Sequence, residues 1–184
     1  MTLRYFWPLF AFGLALATGC TQEEAAHHET SHRGQSAPRF EMLRAGDAMP
    51  LFEGVGLDST DVRLGPGSGL TLVNLWATWC APCIAEFPEL QALHEEFSDD
   101  GLRVLGINVD ETDVGHIQAF VDELGATFLI ALDPGADYQD TVRAVVMPMS
   151  YLVDNEGTLI KSWTGRITEK EAEEIRELVN AALS

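Results

Sequence analysis

Cysteine is scarce in this chain, and its scarcity limits the kinds of site the chain can build. Only three cysteines, Cys20, Cys80 and Cys83, occur among 184 residues, so a framework of several structural disulfides is excluded. No second Cys-x-x-Cys and no pair of histidines follows Cys80 and Cys83 at ligand spacing, which disfavours a zinc site. A reactive dithiol or a single structural disulfide remains, and no metal or organic cofactor is expected.

Basic residues are also few. Eleven Lys and Arg stand against 29 Asp and Glu, giving a net charge of −18. Nucleic-acid binding needs a clustered basic surface, so a nucleic-acid partner is excluded. The acids are spread along the chain and indicate a solvated surface rather than a binding site.

Apolar runs are short as well. The run 5–17 follows Arg4 and is shorter than the ~20 residues that a membrane span needs. A basic start, a short apolar run and small residues are the parts of a signal peptide, predicted here as residues 1–19. The small pair Thr18-Gly19 is followed directly by Cys20. This resembles the lipobox of bacterial lipoproteins, which implies that Cys20 is lipidated.

The region after the predicted leader divides in two. Residues 20–39 are polar and without periodicity, which predicts a flexible linker between the lipid anchor and a domain at 40–184. The protein is therefore expected outside the cytoplasm, anchored to a membrane, with the inner or outer membrane left open. Ala17 stands where the lipobox usually has Leu, so secretion with a free Cys20 is the alternative.

Strand and helix patterns alternate through the domain. The apolar run Leu70–Trp76 predicts a buried strand that leads into the cysteines, and the pattern after them predicts one helix with a kink at Pro88. The later predicted elements are a strand at 103–109, a helix from Asp113 to Gly125, a strand at 128–132, a short helix at 137–144, a hairpin at 150–153 and 158–163, and a helix opened by the Thr168 and Glu171 capping box. The rhythm predicts an α/β domain.

The order of the two cysteines suggests their roles. A helix that begins at the motif carries partial positive charge at its N-terminus, which stabilises a thiolate on Cys80. Cys83, one turn further on, is expected to be sheltered and to act as the resolving thiol. Pro82 falls in the first helical turn, where its missing N–H costs nothing.

The residues around the motif carry a family resemblance. The segment 74–83, Asn-Leu-Trp-Ala-Thr-Trp-Cys-Ala-Pro-Cys, with Glu86-Phe-Pro after it, resembles the TlpA/ResA group of thioredoxin-like proteins. The resemblance implies a central mixed β-sheet flanked by helices, with an N-terminal extension. It also implies a cis peptide bond before Pro148, with Met147 beside the disulfide, and a substrate-binding surface made of Trp79, Pro82, Met147 and Pro148.

Glu86 matches the acid that this extracytoplasmic group uses near its cysteines. Thioredoxin itself has a buried Asp where Asn74 stands, so that base is absent here. The resemblance thus implies Cys80, Cys83 and Glu86 as catalytic residues, with Glu86 handling the proton of Cys83. The alternative is that Glu86 is a solvated helix acid.

The resemblance further implies thiol-disulfide exchange that reduces disulfides of exported proteins, such as apocytochrome c or oxidase maturation factors. A membrane or periplasmic electron donor would then recycle the pair. Two alternatives stay open: a Cu(I) metallochaperone that uses Cys80 and Cys83 with Met147 and Met149, and a thiol peroxidase, although Ala77 stands where such enzymes carry Thr.

Overall fold

The computed structural model describes residues 42–184. The predicted leader 1–19, the lipidation of Cys20 and the linker 20–39 lie outside the described residues. Within 42–184, no helix is long and apolar enough to cross a membrane.

Seven strands form one mixed sheet in the order β2-β1-β5-β4-β3-β6-β7. The three central strands β3, β4 and β5 are parallel to one another, and the outer pairings are antiparallel. The strands are β1 Phe52–Gly56, β2 Asp61–Leu64, β3 Leu70–Trp76, β4 Leu102–Asn108, β5 Leu129–Leu132, β6 Met149–Val153 and β7 Leu159–Thr164. This is the mixed sheet that the sequence predicts.

Five helices cover the sheet: α1 Ala81–Ile84, α2 Phe87–Phe97, α3 Val114–Leu124, α4 Asp137–Thr141 and α5 Glu169–Leu183. Residues of α2, α3 and α5 pack on the face of β3 that carries Leu72 and Trp76. The opposite face, which carries Val73 and Leu75, packs in a second cluster with Tyr138 of α4 and with side chains of β1 and β2. Both faces of β3 are therefore buried, which explains why its sequence is a continuous apolar run rather than an alternating one.

Three helix ends match their local signals closely. Asp113 caps α3 by accepting the N–H of Gly115, and Gly125 ends it in a left-handed conformation with φ 67°. At the start of α5, the N–H of Thr168 donates to the Glu171 carboxylate at 3.2 Å. All three predicted caps are confirmed, because each depends only on residues within one turn.

The predicted single helix after the cysteines is wrong in one respect. The structure has two helices, α1 and α2, interrupted at Ala85 and Glu86. Pro88 has no N–H to bond the carbonyl of Ile84, and its ring would collide with that carbonyl in a continuous helix. The chain therefore starts a new helix, with Pro88 in its first turn.

The sequence interpretation also missed the hairpin formed by β1 and β2. Phe52 pairs with Leu64, and Val55 pairs with Asp61. Gly54 and Gly56 dilute the apolar pattern of β1, and glycine is depleted in strands. The hairpin extends the sheet beyond β5, far along the strand order from the cysteines.

Topology brings two segments together at one edge of the sheet. Cys80 follows the carboxyl end of β3, and Met149 at the start of antiparallel β6 pairs with Leu75 near that same end. The cysteine motif and the Met147-Pro148 segment therefore meet, although they are far apart in sequence.

Candidate active site

Cys80 and Cys83 form a disulfide, with their Cα atoms 5.2 Å apart. Cys80 is the N-cap of α1, and Pro82 lies in the first turn of this helix. The Cys80 side of the pair retains 6% exposure, whereas Cys83 is fully buried. A partner thus reaches Cys80 first.

An exposed indole marks the surface beside the disulfide. Trp79 is 69% exposed although it is large and apolar. Pro82 is also exposed, while the neighbouring Trp76 is buried and packs edge-on against Phe87 with ring centroids 4.9 Å apart. Trp79 and Pro82 are therefore presented to solvent beside Cys80, whereas Trp76 anchors the preceding strand in the core.

The Met147-Pro148 peptide bond is cis, as the resemblance implies. Met147 is partly buried and packs against the core cluster that contains both cysteines. The carbonyl of Pro148 accepts the N–H of Gly165 at 2.9 Å. Val145 and Val146, just before this bond, are 81% and 49% exposed. Exposed apolar side chains thus occur both beside the cysteines and just before the cis bond.

Met149 is not one of the exposed apolar residues near the disulfide. It is 3% exposed and packs in the core on the opposite face of the sheet, with Val73 and Leu75. The structure therefore does not assemble the two cysteines with both methionines, because Met147 packs against the cluster that contains the cysteines and Met149 belongs to the cluster on the other face of the sheet. Among residues 42–184, no three His, Cys, Asp or Glu side chains are grouped to hold a metal ion.

Glu86 is fully buried, so the interpretation as a solvated helix acid is wrong. It lies at the break between α1 and α2, three residues after the buried Cys83. Its Oε1 accepts from Asn74 Nδ2 at 2.7 Å, and its Oε2 accepts from the N–H of Ile167 at 2.6 Å. Its own N–H donates to the carbonyl of Cys83 at 3.3 Å.

The environment of Glu86 changes its acidity. Burial raises the pKa of the Glu86 carboxyl to about 7, and the hydrogen bonds from Ile167 and Asn74 oppose this rise. Nearby charges act in both directions, since Glu89 raises the pKa and Arg166 lowers it. A carboxyl that titrates near neutral pH can both accept and return a proton.

Two polar partners of this site were missed in the sequence. Ser150, fully buried in β6, accepts a hydrogen bond from Asn74 Nδ2 at 3.0 Å. The N–H of Ile167 comes from the segment before α5. A serine inside an apolar strand was a visible signal for the first, but a backbone donor leaves no signal in a sequence.

A second polar cluster holds the loop before Cys80. Asp110, which follows β4, accepts from the N–H of Thr78 and from Asn108 Nδ2, both at 2.9 Å. Its own N–H donates to Asn108 Oδ1 at 3.0 Å. Because Thr78 lies two residues before Cys80, Asp110 fixes the position of the loop that carries Trp79 and Cys80.

Comparisons with known proteins agree with this geometry. The model of the AhpC/TSA family matches residues 45–162. A thiol-disulfide oxidoreductase ResA of Halalkalibacterium halodurans is 32% identical over 140 residues, which cover 75% of this chain and 78% of that protein. A ResA of Bacillus cereus is 30% identical over 164 residues, covering 89% of this chain and 86% of that protein.

Solved structures resemble the fold as well. A crystal structure of a Chlorobium tepidum protein assigned as thiol:disulfide interchange protein DsbE superposes with a TM-score of 0.70. It is 26% identical, and the match covers 77% of this chain and 99% of that one. The fold is thus thioredoxin-like, with the central mixed sheet that the sequence resemblance implies.

Proposed function

The chain belongs to the AhpC/TSA family and is a thiol-disulfide oxidoreductase of the ResA kind, and from this we propose that it reduces disulfides of exported proteins. One observation carries the proposal: Cys80 and Cys83 form a disulfide whose outer sulfur lies beside an exposed apolar surface. Apocytochrome c and oxidase maturation factors are the substrates that the family resemblance favours.

The exchange proceeds in two steps from the reduced dithiol. The thiolate of Cys80 attacks one sulfur of a substrate disulfide, forming a mixed disulfide and releasing the other substrate sulfur as a thiolate, which takes up a proton. Cys83 then gives up its proton and attacks Cys80, which restores the Cys80–Cys83 disulfide and releases the second substrate thiol. Two electrons pass to the substrate, and its two released sulfurs each take up a proton from solvent. An external dithiol donor returns two electrons to the enzyme.

Glu86 is the proposed acceptor of the Cys83 proton. It is buried, it is three residues from Cys83 with a backbone hydrogen bond between them, and its pKa lies near neutrality. A carboxylate with an ordinary pKa would be a weak base for a thiol. After resolution, the protonated Glu86 supplies the proton that Cys83 regains when the pair is reduced again.

Trp79, Pro82, Met147 and Pro148 are the proposed substrate-binding residues. Trp79 and Pro82 border Cys80 on the motif side, and Met147 lies with the cysteine cluster on the other side. Backbone next to the cis bond would pair with an extended substrate segment, as the resemblance implies. Val145 and Val146, exposed just before the cis bond, are further apolar side chains that a substrate segment would meet there.

Export and anchoring are supported by the leader-like sequence ending at Cys20. We infer that lipidated Cys20 anchors the domain at 40–184 through the linker 20–39, on the extracytoplasmic side of a membrane. A Cys20→Ala variant should move from the membrane to the soluble fraction. A Cys80→Ala variant of the same chain should stay on the membrane, and equal distribution of the two would contradict the anchor.

The reaction is tested by trapping. Cys83→Ala should accumulate mixed disulfides with exported proteins through Cys80, because the resolving thiol is gone. Cys80→Ala should trap none, and the double variant is the control for nonspecific oxidation. Equal trapping by the two single variants, or none by either, would overturn the assignment of roles. Identifying the trapped protein names the substrate.

A further inference from the structure

The side-chain amide of Asn74 lies between Glu86 and Ser150. One N–H of Nδ2 donates to Glu86 Oε1 at 2.7 Å, and Nδ2 also donates to Ser150 Oγ at 3.0 Å. All three side chains are fully buried. The amide nitrogen of Asn74 therefore donates to two buried acceptors, the Glu86 carboxylate and the Ser150 hydroxyl.

The oxygen of the same amide has no partner. Asn74 Oδ1 is buried and makes no hydrogen bond within 42–184, and a buried acceptor without a donor costs free energy. Rotating the amide by half a turn would allow this oxygen to accept from the Ser150 hydroxyl. The same rotation would place the amide oxygen against Glu86 Oε1, so that two acceptors would face each other. The observed orientation therefore favours the ionised carboxylate at the expense of the amide oxygen.

Both partners of the acid are fixed by the sheet. Asn74 in β3 pairs directly with Ser150 in β6. Ser150 lies two residues beyond Pro148, so the hydroxyl is close in sequence to the cis bond that immediately precedes β6. Because these positions belong to central strands rather than loops, the distance from the amide to Glu86 changes little with movements at the surface.

We propose that Asn74 and Ser150 are positioning residues that set the pH at which Glu86 takes the proton of Cys83. Ser150 orients the amide, and the amide N–H stabilises the carboxylate. This inference rests on the proposed exchange reaction and adds two residues that do not touch the reacting sulfurs. The hydrogen bond from Asn74 lowers the pKa of Glu86 against the effect of burial.

Other groups near Glu86 also affect its pKa. The charged groups that act on it are Glu89 of α2 and Arg166 before α5, and the two thiols of the reduced pair lie on the α1 side. The donors from β3 and from Ile167 are neutral. Removing the Asn74 donor leaves each of these other groups in place.

The test measures the rate of resolution as a function of pH. Purified enzyme is charged with a mixed disulfide at Cys80, and release of the small thiol is followed between pH 5 and 9. Asn74→Ala should move the midpoint upward by about one pH unit, which slows resolution roughly tenfold below the wild-type midpoint. Ser150→Ala should move it less, in the same direction, and Ser150→Thr, which keeps the hydroxyl, should retain the wild-type midpoint.

A double variant separates this role from a merely structural one. In a Glu86→Gln background, Asn74→Ala should leave the remaining pH profile unmoved, because the titrating group is gone. The same shift in that background, or an unmoved midpoint in folded Asn74→Ala, overturns the proposal. If Asn74→Ala does not fold, identical midpoints for Ser150→Ala and Ser150→Thr overturn it instead. Failure of the exchange reaction itself would show differently, as a wild-type enzyme that forms no mixed disulfide at Cys80.

Discussion

The carboxylate of Glu86 accepts the backbone N–H of Ile167 at 2.6 Å across 81 residues of sequence. This bond joins the break after the cysteine helix to the segment that precedes α5. Close by, the N–H of Gly165 donates to the carbonyl of Pro148. Glu86 is therefore part of the folded framework as well as the proposed proton acceptor, and its ionisation should be detectable in stability.

Unfolding should depend on pH through Glu86. Its pKa is about 7 in the folded protein against an ordinary 4.5, so between these values the folded state holds a proton that the unfolded state releases. The resulting stability is fully present below pH 4.5 and is lost as the pH rises through 7. The shift corresponds to roughly 3 kcal/mol.

The measurement compares wild type with Glu86→Gln by urea unfolding at several pH values. The difference in their free energies of unfolding should change by roughly 3 kcal/mol between pH 4 and pH 8, with wild type relatively more stable at pH 4. All other titrating groups are common to both proteins and cancel. A difference that stays constant with pH would show that Glu86 does not titrate in this range.

Trp79 should matter for partners and not for folding. Because its indole is 69% exposed, Trp79→Ala should change the free energy of unfolding by less than about 0.5 kcal/mol. The kcat/KM of this variant with a protein disulfide should fall roughly tenfold relative to wild type. Its kcat/KM with a small aromatic disulfide should equal that of wild type. Val55→Ala, at an exposed valine of β1, is the matched control and should affect neither substrate. Equal losses with both substrates would place the indole in the chemical step instead.

Substitutions of the two methionines near Pro148 should have different effects on stability and on exchange. Met149→Ala creates a cavity in the core and should destabilise the fold by about 2–5 kcal/mol, while the folded fraction still exchanges disulfides. Met147→Ala, at a partly buried position, should cost less stability and should slow exchange with protein substrates. Thermal unfolding and single-turnover exchange measure the two effects, and the reverse pattern would refute the opposite-face assignment.

Asp110 should hold the loop before Cys80. In Asp110→Ala the N–H of Thr78 loses its acceptor, which should cost about 1–3 kcal/mol and increase hydrogen exchange at the Thr78 amide. Asp110→Asn keeps one oxygen and should retain most of the protection. If both variants protect Thr78 as well as wild type does, the loop is held by other contacts.

Local signals explain what the sequence predicted well. The strand Leu70–Trp76, the Asp113 and Gly125 caps of α3 and the capping box of α5 each depend on residues that are neighbours in sequence. The order of Cys80 and Cys83 was predictable for the same reason. These features need no knowledge of the tertiary fold.

The burial of Glu86 depended on contacts that the sequence does not display. Its hydrogen-bond donors come from β3 and from the segment before α5, which are 12 and 81 residues away from it in sequence. The predicted single kinked helix placed Glu86 on a helix face, and exposure of its side chain to solvent was the alternative. The hairpin of β1 and β2 was missed because its glycines obscure a pattern that only pairing with β5 makes stable.

The central position of β3 has a consequence for the partner. Every residue of this strand is buried, and β4 and β6 pair along it on both sides, so its amides exchange only when the whole domain opens. Because Cys80 lies only four residues beyond this strand, we expect its sulfur to move little. The motion that aligns three sulfurs in a row must then come from the other molecule. Polypeptides that have not finished folding should react faster than compact ones, and comparing one disulfide in a folded protein and in its excised peptide would measure that preference.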